Sequence, residues 1–122
     1  MLSPTDLQAV REGLDARARQ LTHEIEAKRA ADEPGSDAVA DQKDQAERST
    51  EALTRDAEIE RDRGELNEIA QARQRLADGS YGLCLACGEP IDSRRLLVQP
   101  TAARCIACQA SAEVRAPGAE RL

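Results

Sequence analysis

Two pairs of cysteines set the terms on which this chain can fold. Cys84-Leu85-Ala86-Cys87 and Cys105-Ile106-Ala107-Cys108 repeat the spacing C-x2-C, with 17 residues between the pairs. Two residues between thiolates let one turn bring both sulfurs to a single ion, while backbone N–H groups stabilise their charge. Gly88, directly after the first pair, supplies the positive φ that closes such a knuckle. The second pair falls near an expected helix start and completes a tetrahedron of four sulfurs. Four soft ligands leave no coordination position for water or substrate. The expected cofactor is therefore one structural Zn2+ rather than a catalytic ion. The competing readings are an iron–sulfur cluster and thiol–disulfide chemistry, but a redox motif needs one C-x-x-C and leaves the second pair unexplained.

The region around the cysteines has little else to hold it. Tyr81 is the only aromatic residue of the chain, which has no Trp and no Phe. Tyr81, Ile91, Leu96, Leu97, Val98 and Ile106 are expected to pack a miniature core. So few apolar groups do not offset chain entropy alone, and metal binding supplies the remainder. Short segments punctuated by Gly82, Gly88, Pro90 and Pro100 lead to a last short helix over about 103–115, then a tail over 116–122.

Upstream the pattern is helical. Ser3-Pro4-Thr5-Asp6 reads as a helix start, with Ser3 as cap, Pro4 at the first helical position and Asp6 near the positive end of the dipole. Leu7, Val10, Leu14, Ala18, Leu21 and Ile25 follow at alternating three- and four-residue steps, a heptad seam narrow enough to require a partner. Pro34-Gly35 breaks the pattern. A second helical stretch from about Ala38 to Ala77 carries a seam that is weak at Ala46 and Leu53 and firmer through Ile59, Leu66, Ile69 and Leu76. Gly64 interrupts it without breaking it, and Gly79 is the expected C-terminal cap. The expected fold class is mainly α: a long antiparallel helical hairpin, or coiled coil, over 1–78 with its tip near 32–46, followed by a small four-cysteine zinc-finger module over 79–115.

Charge narrows the functions. Charged residues make up 33% of the chain and the net charge is −6, which disfavours a protein that coats nucleic acid through counterion release. The first residues have neither the basic nor the apolar stretch of a leader, and no apolar run reaches the roughly 18 residues that span a bilayer. A cytoplasmic protein without a membrane partner is expected, in a compartment where paired cysteines favour metal.

The stretch Tyr81-Gly82-Leu83-Cys84-Leu85-Ala86-Cys87-Gly88-Glu89-Pro90-Ile91, with Arg94-Arg95-Leu96, Pro100-Thr101-Ala102 and Cys105-Ile106-Ala107-Cys108-Gln109, resembles the DksA/TraR zinc-finger family. The preceding hairpin is similar to that family's coiled coil. At the other end, Asp41-Gln42-Lys43-Asp44-Gln45-Ala46 resembles the family's tip pattern D-x-x-D-x-A. The resemblance implies a non-enzymatic transcription regulator that binds RNA polymerase through its secondary channel, without direct promoter DNA recognition. It implies that Asp41, Asp44 and Ala46 act near the active centre, with Arg61 and Arg63 along the arm against the channel rim. Arg61 and Arg63 read equally well as solvated arginines paired with nearby glutamates. His23 has no ligand set around it and reads as a surface residue.

Departures from the family also count. Members that respond to guanosine tetraphosphate carry basic residues at the positions of Glu68, Gln99 and Gln109. A phosphate-rich ligand needs cationic or N–H partners, so coupling to that alarmone is expected to be weak or absent. The alternative functions are a zinc-ribbon protein binding nucleic acid through Arg94, Arg95 and Arg104, an adaptor whose hairpin only dimerises, and a thiol oxidoreductase. The lack of stacking aromatics counts against the first of these.

Overall fold

The computed structural model describes residues 2–31 and 42–115. Four helices follow in order: α1 (Pro4–Ala31), α2 (Gln42–Asp78), α3 (Ser93–Val98) and α4 (Ile106–Arg115). The expected Pro34–Gly35 break and Asp41 lie outside the described residues. Among the described residues, β pairing is limited to an isolated bridge between Leu83 and Pro90. No helix among them is long and apolar enough to cross a membrane.

α1 starts as its sequence dictates. The Asp6 N–H donates to Ser3 Oγ at 3.0 Å, and the Ser3 N–H donates to Asp6 Oδ2 at 3.2 Å. This reciprocal cap satisfies two backbone donors that the first turn leaves unpaired. Lys28 and Arg29 in the last turn complement the negative end of the dipole. Of the expected seam, Val10, Leu14, Ala18, Leu21 and Ile25 are buried, and Leu7 is half-buried.

α2 ends at Gly79, whose φ of +83° lets the Ser80 and Tyr81 N–H groups both reach the Arg75 carbonyl, at 3.0 and 3.1 Å. Its seam departs from expectation at the start. Ala46 is exposed and Leu53 is 70% exposed, and Ile59 is the first buried apolar side chain of the helix among the described residues. The reason is geometric. Lys28, near the end of α1, lies against Glu58 and Asp62, so the described part of α1 runs out before it can cover the first turns of α2. Ile69 and Ala72 are buried further on, with Leu66 and Leu76 half-buried.

The described residues group into two compact units. The first, residues 15–67, is an antiparallel helix pair. Arg17 donates through Nε and Nη2 to the two carboxylate oxygens of Glu65, at 2.6 and 3.0 Å, and Lys28 joins Asp62 at 2.9 Å and Glu58 at 3.3 Å. Rising numbers on α1 meet falling numbers on α2, which fixes the direction of pairing.

The second unit combines the chain up to Leu14 with the stretch from Glu68 onward. Its core is Cys84, Ile91, Leu96 and Ala102, with Leu2, Tyr81, Cys105 and Cys108 packed against it. Asp92 caps α3 by accepting the Arg94 N–H at 2.9 Å. Tyr81 Oη donates to the Pro100 carbonyl at 2.7 Å. Three residues expected in this core are not in it: Leu97 is 50% exposed, Ile106 67% and Val98 87%. In a helix, successive side chains turn by about 100°, so when Leu96 points inward Leu97 and Val98 on the same helix point elsewhere, while Ile106 belongs to α4.

Candidate metal centre

The first knuckle is built by backbone hydrogen bonds. The Cys84 N–H donates to the Glu89 carbonyl at 2.8 Å, and the Gly88 N–H donates back to the Cys84 carbonyl at 2.9 Å. Gly88 takes the left-handed φ of +78° that this return requires. The second pair sits at a helix start: Cys105 precedes α4, Cys108 lies in its first turn, and the Gln109 N–H donates to the Cys105 carbonyl at 2.8 Å. The Leu85 N–H, inside the first knuckle, donates to the carbonyl of Ala103, two residues ahead of the second pair, at 2.8 Å.

The four sulfurs lie within 4.8 Å of one another, with Cys87 Sγ 3.9 Å from Cys105 Sγ. A zinc tetrahedron with Zn–S bonds of about 2.3 Å has sulfur–sulfur edges of about 3.8 Å. The donor set therefore fits one zinc ion once the widest sulfur–sulfur separations close by at most about 1 Å. An iron–sulfur cluster would hang the same sulfurs on separate irons and hold them further apart. A disulfide needs about 2.05 Å between sulfurs, and all four cysteines are free.

The electrostatics describe a site waiting for positive charge. The N–H groups of Cys105, Cys87 and Ala86 pull the Cys84 thiol down to about 6. Cys108 is pushed up to about 12, because the sulfurs of Cys105, Cys84 and Cys87 crowd it. At Cys87 the Glu89 N–H favours the thiolate but is outweighed, chiefly by the Cys84 sulfur and by burial, and its thiol is held up. The Cys84 thiolate forms readily, and Cys87 and Cys108 then resist. Cys84, Cys87, Cys105 and Cys108 would hold the ion as thiolates, and its positive charge would offset their mutual repulsion.

The other expected residues occupy separate parts of the chain. Asp44 lies in the first turn of α2, and Ala46, two residues on, is exposed. Arg61 and Arg63 lie further along α2; Arg63 is exposed and pairs with Glu60 at 3.0 Å, and Arg61 is exposed as well. His23 is exposed on α1.

A cavity of about 590 Å³ in the second unit is lined by Glu68, Gln99 and Gln109, together with Arg75, Arg95 and Arg104. Three positions far apart in sequence thus share one cleft. Arg75 Nη2 and Arg95 Nε are buried without a hydrogen-bond partner. Arg75 was not legible as part of this cleft, because its seam position on α2 gives no sign of what lies across from it.

Comparison with known proteins places these features together. The family of prokaryotic dksA/traR C4-type zinc fingers matches residues 79–114. The RNA polymerase-binding transcription factor DksA of Caulobacter vibrioides is 41% identical over 71 residues, covering 58% of this chain and 47% of that protein. Its namesake in Haemophilus influenzae is 35% identical over 82 residues, covering 65% and 57%. The chain thus spans about half the length of the relatives it matches. The structure of transcription factor DksA2 from Pseudomonas aeruginosa superposes with a TM-score of 0.76 at 32% identity, over 98% of this chain and 89% of that one.

Proposed function

Because this chain belongs to the DksA/TraR C4-type zinc-finger family, we propose that it is a transcription regulator that binds RNA polymerase directly. The helix pair enters the secondary channel. The reading is carried by one observation: the pattern Asp41-x-x-Asp44-x-Ala46 falls where α2 begins, at Gln42, in a chain that matches the DksA2 structure over nearly its whole length.

Asp41, Asp44 and Ala46 then act near the catalytic centre of the polymerase, where carboxylates perturb a metal-rich, basic environment. Arg61 and Arg63 lie 17 and 19 residues beyond Asp44 on the same helix, about 25–30 Å along its axis at 1.5 Å per residue, and they meet the channel rim. The factor does no chemistry of its own and reads no promoter sequence. Its compartment is the cytoplasm, with the polymerase.

Coupling to guanosine tetraphosphate is weak or absent. Glu68 and Glu113 bring negative charge to the cleft beside its arginines, and Gln99 and Gln109 add no cation to it. Phosphate recognition needs accessible, charge-assisted donors. Tight, polymerase-dependent nucleotide binding that is lost on mutating Arg104 would reverse this.

The test uses the full chain with purified polymerase. Asp44→Asn is expected to keep binding and to lose the effect on the lifetime of promoter complexes. Retention of the full effect, or capture of the polymerase only through DNA, would overturn the reading.

A further inference from the structure

Lys28 sits one turn before α1 ends, with Nζ 2.9 Å from Asp62 Oδ2 and 3.3 Å from Glu58 Oε2. The group is substantially covered: the Lys28 side chain is 23% exposed and that of Asp62 15%. From Ala46 to Glu58 no apolar side chain of α2 is buried, and Ile59 is the first that is. The clamp thus stands where apolar packing along α2 stops and where the turns leading to Asp44 begin. A helix of that length is marginal in water by itself, so those turns depend on how firmly their base is held.

The charge arrangement makes the clamp one-sided. Glu58 and Asp62 are four residues apart on one helical face, a spacing at which like charges repel. With Lys28 present, one ammonium serves both carboxylates. Without it, two half-buried acids face each other with the ammonium between them gone, which costs more than the pairing contributes.

We infer that Lys28 is a positioning residue: by bridging Glu58 and Asp62 it pins the end of α1 to α2 at that point and so keeps the stretch of α2 from Gln42 to Glu58 helical. Its consequence for transcription rests on the function proposed above; the hold on the helices does not.

Amide hydrogen exchange on the full, zinc-loaded chain tests it. Lys28→Met, which keeps the apolar stem, is expected to speed exchange about tenfold over 42–58 and over the last turns of α1, leaving 68–78 unchanged. Lys28→Arg keeps protection, since a guanidinium serves two carboxylates. Lys28→Met/Glu58→Leu/Asp62→Leu restores it, since apolar groups replace the matched charges. Unchanged exchange in Lys28→Met, or equal acceleration over 68–78, overturns the inference. With polymerase, Lys28→Met at saturating concentration is expected to weaken the maximal effect on promoter complexes, and Lys28→Arg to recover it. A full effect from a Lys28→Met chain with accelerated exchange removes the positioning role. If the unaltered chain has no effect on polymerase, the proposed function fails while the exchange result still decides the clamp.

Discussion

Gly64 stands inside α2 with nothing within 4 Å of where a β-carbon would sit, whereas Gly88 holds a φ of +78° that other residues rarely adopt. Substitution by alanine should therefore act in opposite directions. Gly64→Ala should stabilise the chain by about 1 kcal/mol, and melting followed by circular dichroism should rise by about 4 °C. Gly88→Ala should loosen the knuckle, read as faster zinc release to a chelator. Leu96, Leu97 and Val98 make the same point for apolar residues. Leu96→Ala should cost about 2–5 kcal/mol, while Val98→Ser should change stability by less than about 0.5 kcal/mol. Three consecutive apolar residues carry no period, so sequence reasoning treated them alike. It was the short helix α3, invisible at that length, that chose among them.

The two long helices were legible where their seams are apolar and illegible where they are charged. The steps from Val10 to Ile25 on α1 gave its buried face directly. On α2, Ala46 and Leu53 suggested a seam that the structure leaves exposed, while Asp62, Glu65 and Arg75 take inward positions that no apolar pattern reveals. Leu21, fully buried, should cost about 2–5 kcal/mol when cut to alanine, measured by chemical denaturation. The charged part of the seam should respond to pH. The hydrogen bond from Arg17 holds the Glu65 carboxyl below its ordinary 4.5, against an opposing effect of burial. A depressed carboxyl contributes stability above that ordinary value and loses it as pH falls through the folded value. Asp62 and then Glu58 hold Lys28 above its ordinary 10.5, so its contribution is present at neutral pH and lost only as pH rises beyond that range. Acid should therefore weaken the Arg17–Glu65 tie, and thermal stability below about pH 4.5 should fall less steeply in Glu65→Gln than in the unaltered chain. Parallel pH profiles for the two would remove this tie from the account.

At the scale of the molecule, the zinc site was the most legible part because its information is local: two knuckles of four residues each define it. The cleft shared by Glu68, Gln99 and Gln109 was not, since three separated stretches meet only through the tertiary fold. Chelation under reducing conditions should unfold the stretch from Tyr81 onward, whose apolar core is four buried residues, one of them Cys84 itself. Residues 15–67 should keep most of their helicity in the same experiment, seen as a partial loss of the far-ultraviolet signal. Leu2 adds a practical consequence. Its side chain packs against the cysteine-bearing core although more than 80 residues of chain separate Leu2 from Cys84, so cutting the chain back to the start of α1 would strip an apolar cover from the residues that fold around the ion.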